Sequence, residues 1–212
     1  TFARFYGAIT TDGGNVDMDA SSGVTTGTSG TITTTGAAGA NSGDVNIDNY
    51  SSGYGDITIG GDIVTSGSDG SSGGDAGDVH MKAFGSIDLN ASIESSGGSA
   101  LGAEGSGGDA GVLYFNSGMP VGTANVSVNG SITAIAGSGG AYGSDGIYGI
   151  VEIYATEGAI TIDAPIIADD GILAIATGQI DVLDDGTLTT YDEQVILLSN
   201  EAGISVDAAI TT

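Results

Sequence analysis

Apolar residues alternate with polar ones in short runs that return in pairs along the chain. Ile57-Thr58-Ile59-Gly60-Gly61-Asp62-Ile63 and Val126-Ser127-Val128-Asn129-Gly130-Ser131-Ile132 show the unit without gaps, the second run starting six residues after the first. The phrase recurs at Ile87 to Ile93, Ile160 to Ile166 and Ile204 to Ile210, and in weaker form at Ala3 to Ile9. Near Val24 and Ile180 the second run starts eight residues on, at Ile32 and Leu188. A period of two is the strand period, so Ile87 and Leu89 point one way and Asp88 the other. After each pair comes a third short run: Val16 to Met18, Val45 to Ile47, Val79 to Met81, Leu113 to Phe115, Val151 to Ile153, Leu173 to Ile175 and Val195 to Leu197. A chain that keeps returning to the same three strands winds as a solenoid.

The spacings separate what is fixed from what varies. The third run begins seven residues after the second in Ile9 to Val16, Ile166 to Leu173 and Leu188 to Val195. In the middle of the chain that interval grows to 13, 16, 20 and 19 residues, counted from Ile32, Ile63, Ile93 and Ile132. Insertions therefore enter at one corner, where lengthening a loop costs little and the stacked core is undisturbed. The expected fold is an all-β parallel β-solenoid of about seven coils of three short strands. Residues 1–212 form one domain: N-terminal coils over 1–44, long-loop coils over 45–150 and compact short-loop coils over 151–212. Asn90, Asn129, Asp163 and Asp207 directly follow a first strand and mark a corner. The two Asp read as outward turn residues, whereas the Asn suit a stacked amide ladder or the same turns.

The same register gives the outward side chains of the third strand. One column reads Asp17, Asn46, His80, Tyr114, Glu152, Ala174, Ile196, and the next Asp19, Asp48, Lys82, Asn116, Tyr154, Ala176, Leu198. This face starts polar and ends apolar, and an apolar face left in water calls for a cover. Tyr154, Ile167, Ala174, Ala176, Ile196 and Leu198 are therefore expected to pack against another subunit or segment. The chain starts within a first strand and stops after a second one. Phe2, Ala3 and Phe5 at one end, and Ile204, Val206 and Ile210 at the other, are expected to be open solenoid ends available for head-to-tail stacking.

Composition agrees: 40 Gly, two Pro, no Trp and no Cys. Charge then removes whole classes of function. The chain has 27 acidic residues against Arg4 and Lys82, a net charge of −25. No basic patch can form to bind nucleic acid, and attraction to anionic membranes is disfavoured. Acid side chains keep a Gly-rich surface hydrated; they also offer oxygen ligands that suit calcium. Gly73-Gly74-Asp75-Ala76-Gly77-Asp78 comes within one residue of a calcium-binding nonapeptide repeat, and Gly107-Gly108-Asp109-Ala110-Gly111 stands further off. Asp75, Asp78 and Asp109 are the calcium candidates; otherwise no cofactor is required. No catalytic cluster emerges. His80 is the one imidazole, and Lys82 beside Asp48 reads as a surface ion pair worth under about 1 kcal/mol.

The run Gly107-Gly108-Asp109-Ala110-Gly111, a strand, and then Asn125-Val126-Ser127-Val128-Asn129-Gly130-Ser131-Ile132-Thr133-Ala134 resembles the repeats of large secreted bacterial β-solenoid exoproteins. Filamentous-haemagglutinin-like adhesins and autotransporter passenger repeats are the kin it suggests. The resemblance implies a right-handed parallel β-helix, extracellular or on the cell surface, serving adhesion, biofilm or fibre formation. No active site carries over, and the chain is expected not to be an enzyme. The leading expectation is a structural protein that self-associates as a homopolymer or packs on neighbouring segments of a longer solenoid. Its middle loops, 66–77, 96–111 and 136–149, are read as solvated Gly/Ser spacers. The alternative is a carbohydrate-binding or carbohydrate-active β-helix, with glycans as ligands.

Overall fold

A computed structural model describes residues 2–49, 55–118 and 123–212. They form three parallel sheets and, among the described residues, no helix. The first sheet has eight strands, from Ala3–Phe5 through Val24–Thr26, Ile57–Ile59, Ile87–Leu89, Val126–Val128, Ile160–Ile162 and Ile180–Val182 to Ile204–Val206. The second also has eight, from Ile9–Thr10 to Ile210–Thr211, and the third has seven, from Val16–Asp19 to Val195–Ser199. Each strand pairs with the equivalent strand of the turns before and after it, as a β-solenoid requires.

Aligned residues stack in columns. Ile57, Ile87, Val126 and Ile160 sit directly over one another, as do Ile59, Leu89, Val128 and Ile162, and all are fully buried. Ile and Val suit this arrangement because a β-branched side chain packs on a pleated surface with little loss of rotamer freedom. Among the described residues, Phe115 is the largest side chain fully enclosed in the core.

The register of one strand differs from the expected one. Gly171–Ala176 pairs so that Ile172, not Leu173, aligns with Val151 and Val195. Ala174 and Ala176 are thus buried in the core, and Leu173 and Ile175 take the outward positions. The run Ile172-Leu173-Ala174-Ile175-Ala176 is apolar on both faces, so alternation alone leaves a one-residue slip undecided. What decides it is the last inward column of this sheet: Asn49, Ala83, Ser117, Ala155, Ala176, Ser199. The position is narrow, and Ala176 belongs to that series where Ile175 would not.

The long middle loops are not spacers. Segments 66–77, 96–111 and 136–149 stack on one another as a fin projecting from the corner between the second and third sheets. Along the stack, Gly67 N–H donates to Ser96 O at 2.9 Å, Gly97 to Ile135 O at 2.9 Å, Gly73 to Ser106 O at 2.8 Å and Gly107 to Ser144 O at 2.9 Å. Across it runs a second series, in which Gly74 donates to Ser68, Gly98 to Gly74, Gly108 to Gly98, Gly137 to Gly108 and Gly146 to Gly137, each at 2.9 Å. Gly74, Gly98, Gly108 and Gly137 are buried, and the three atoms nearest a Cβ on any of them would be backbone atoms. None of the four has a left-handed φ. Close approach is what demands glycine here: a Cβ on Gly108 would lie 1.9 Å from Gly74 O, and one on Gly73 would lie 1.7 Å from Gly98 O. Buried hydroxyls satisfy the carbonyls at the fin's root, with Thr65 Oγ1 and Ser95 Oγ both donating to Gly77 O, at 2.8 and 2.7 Å.

Candidate functional site

Three groups of side chains could carry function: the corner carboxylates, the outer face of the third sheet and the hollow at the far end of that face. At the corners the acids hold successive turns together. Asp75 Oδ1 accepts the Asp109 N–H at 3.0 Å, Asp109 Oδ1 accepts the Ile147 N–H at 2.9 Å, and Asn41 Oδ1 accepts the Asp75 N–H at 2.9 Å. A parallel series links Asn15, Asp44, Asp78 and Val112 in the same way, at 2.8–3.0 Å. Each Asx side chain thus supplies the acceptor for an amide of the next turn that would otherwise lack one. Of the calcium candidates, Asp78 and Asp109 each commit one oxygen to this ladder and Asp75 commits both, its Oδ2 accepting from Asn41 Nδ2 at 3.0 Å. Among the described residues, no group of three or more His, Asp or Glu side chains is placed to hold a metal ion.

The other corner follows the expectation for its turn residues. Asn90, Asn129, Asp163 and Asp207 are all exposed. The two Asn also form the ladder rung, Asn129 Nδ2 donating to Asn90 Oδ1 at 2.9 Å.

On the third sheet, Asp17, Asn46, His80, Tyr114, Glu152, Leu173 and Ile196 form one outward column, and Asp19, Asp48, Lys82, Asn116, Tyr154, Ile175 and Leu198 its neighbour. An aromatic strip occupies the middle. The His80 and Tyr114 rings meet edge-on at 5.9 Å, and Tyr114 and Tyr154 lie 5.5 Å apart, tilted by 42°. Asn116 Nδ2 donates to the Tyr114 hydroxyl at 2.8 Å. Burial, then the negative charge of Glu152, pushes the Tyr154 phenol above its ordinary pKa.

The expected Asp48–Lys82 pair takes a different form. The two residues are aligned on adjacent strands, but the Lys82 ammonium sits 5.7 Å from the centre of the Tyr114 ring. Asp48 Oδ1 is buried without a hydrogen-bond partner. A cation over an aromatic face is attracted electrostatically by the ring quadrupole.

Where the strip ends, the face becomes apolar and hollow. A depression of about 410 Å³ is lined by Ile150, Ile172, Leu173 and Ile196, with Glu152, Asp170, Glu193 and Gln194 around it. Of the residues expected to form a covered interface, Tyr154, Ile196 and Leu198 share this sheet face, Ile196 being 41% exposed and Leu198 50%. Ala174 and Ala176 do not, since they point into the core. Ile167 lies on the outer face of the second sheet, between Thr133 and Thr189. Leu173 and Ile175 stand on the third sheet's outer face instead; counting from Ile166 puts them in the core, and the small-residue column described above is the signal that puts them on this face.

Beside the hollow, Asp169 closes the fin. Its carboxylate accepts the Ala136 N–H, the place a further fin layer would otherwise fill. Burial raises its pKa, the Ala136 N–H opposes that rise, and the charges of Asp192 and Asp170 add to it. At the first and last strands, Phe2, Ile204, Val206 and Ile210 are exposed, while Ala3 and Phe5 rest partly buried against the core. No helix among the described residues is long and apolar enough to cross a membrane. No protein-family model, curated protein or solved structure matches this chain.

Proposed function

We propose that this chain is a structural segment of an extracellular or cell-surface assembly: a filament, sheath or adhesin in which solenoids of this kind, wound right-handed, stack end to end. The observation that supports this reading most is how the polar groups are used. Corner Asp, Asn and Ser side chains along the rod hydrogen-bond to the next turn, as in Asp56 to Ser86 at 2.8 Å and Asp62 to Ser92 at 3.0 Å, rather than converging on a common point. Such a design supplies length, stiffness and a hydrated acidic surface. The bacterial exoprotein repeats that the sequence resembles point the same way. The self-association through strand edges that this reading entails is tested by electron microscopy of the purified chain over a concentration series, with and without chelator. Filaments that persist in chelator support it, filaments lost in chelator transfer the assembly to bridging cations, and isolated short particles at every concentration overturn it.

The Tyr114–Tyr154 strip favours a second reading, glycan binding, because sugar rings lie on aromatic faces while flanking amides and carboxylates such as Asn116 and Glu152 meet their hydroxyls. Neutral oligosaccharides would then perturb tyrosine fluorescence in the wild type and not in Tyr154→Ala.

A further inference from the structure

The hollow at the end of the third sheet sets an aliphatic floor among carboxylates. Its floor is aliphatic, from Ile150, Leu173 and Ile196, and the apolar surface continues through Ile175 and Leu198 on the adjoining column. Three carboxylates, Glu152, Asp170 and Glu193, stand around that floor, and Asp169 and Asp192 adjoin two of them in the chain. Both Lys/Arg side chains of the sequence are engaged elsewhere. Arg4 sits 4.6 Å from the centre of the Phe2 ring at the first strand, and Lys82 is held over Tyr114. Its size falls within the about 300–1,000 Å³ typical of ligand sites.

We propose that this hollow docks a segment of a partner polypeptide that carries Lys or Arg next to aliphatic side chains. Charge complementarity selects the occupant. A second copy meeting this face with its own would set Glu152, Asp170 and Glu193 against the same three carboxylates, and like charges brought together at an interface oppose association. A basic aliphatic segment neutralises the acids and covers the floor at once. A bare cation would leave Leu173 and Ile196 in water, and a neutral apolar chain would bury Glu152 and Asp170 without partners. The length of the apolar strip, from Ile150 to Leu198, exceeds what a small amine can cover and fits an extended peptide. This docking is lateral and does not depend on end-to-end stacking.

The test uses the intact chain and a short fluorescein-labelled peptide of alternating leucine and lysine, compared with the same peptide acetylated on every lysine. Fluorescence anisotropy should show binding to the wild type at least about tenfold tighter for the free-lysine peptide. The variant Glu152→Gln/Asp170→Asn/Glu193→Gln should lose about tenfold, and so should Leu173→Ser/Ile196→Ser. A control with the same loss of charge elsewhere on the surface, Asp12→Asn/Asp184→Asn/Asp185→Asn, should stay close to the wild type. Equal weakening by both charge variants would reduce the effect to general electrostatics and overturn the proposal, as would equal binding of the acetylated peptide. Sedimentation showing a dimer that Leu173→Ser/Ile196→Ser dissociates would assign the face to a second copy instead. Protection of the hollow by neutral oligosaccharides, with no response to the peptide, would assign it to glycans.

Discussion

The body of the solenoid and its fin are built on the same repeat but are held together by different forces. In the body, columns of Ile, Val and Leu exclude water, and burial supplies the driving force. In the fin there is no apolar column; adjacent backbones approach because glycine has no Cβ, and the amide–carbonyl bonds so formed are shielded from water and polarise one another along the series from Ser68 to Gly146. One construction tolerates most apolar substitutions of similar volume, and the other tolerates no side chain at all at its crossing points. A repeat protein can therefore grow sideways without a second hydrophobic core, provided its loops are long enough to lie against one another.

Substitutions in the two regions should separate these forces. The largest effect belongs to the core: Phe115→Ala leaves a cavity worth about 3–5 kcal/mol, read as a lowered urea midpoint for the whole chain. Gly108→Ala pushes a methyl against the Gly74 carbonyl and should cost about 1–3 kcal/mol. That loss is local, so fin amides should lose exchange protection while the sheets keep theirs; a uniform loss of stability would merge the two regions into one cooperative unit. Asp75→Ala, which orphans the Asp109 amide, should cost about 1 kcal/mol, and Asp75→Asn less, because its amide oxygen can still accept from Asp109 although its NH2 then faces the Asn41 amide nitrogen that Asp75 Oδ2 accepts from.

The smallest effect is at Asp169. A carboxyl whose folded-state pKa is raised favours the folded form when protonated, so its contribution to stability is greatest at acid pH and falls as pH rises from the ordinary carboxylate range through the elevated value. Asp169→Asn keeps an acceptor for Ala136 without the charge. It should equal or slightly exceed the wild type in stability at neutral pH, and that advantage should vanish at acid pH. Thermal melts of the two proteins across pH check the sign; a wild type that gains on the variant as pH rises would contradict it.

Most of the body was legible in the sequence, because an apolar period of two, broken at regular corners, specifies both the strands and their stacking. Ile57, Ile87, Val126 and Ile160 could be aligned by counting. Alternation failed at Ile172 to Ala176, where both faces are apolar and only side-chain size, visible once Ala83, Ser117 and Ala155 are stacked, decides the register. The fin was opaque for a related reason. Glycine carries no hydropathy signal, so Gly73-Gly74, Gly97-Gly98 and Gly107-Gly108 read as solvated spacers. The recurrence of Gly73-Gly74-Asp75-Ala76-Gly77 one turn later as Gly107-Gly108-Asp109-Ala110-Gly111 was the available clue. The carboxylates suggested metal from spacing alone. Their acceptor role depends on which amide lies one turn away, and that is known only after the register is set.

Hydrogen exchange followed by mass spectrometry over 66–77, 96–111 and 136–149 tests the central claim most directly. If the fin is a backbone-bonded layer, amides such as Gly98, Gly108 and Gly137 should be protected by orders of magnitude over an unstructured chain, below the sheets and well above the segments at the fin's tip. Complete exchange of all three segments at the rate of an unstructured peptide, with the sheets still protected, would contradict it.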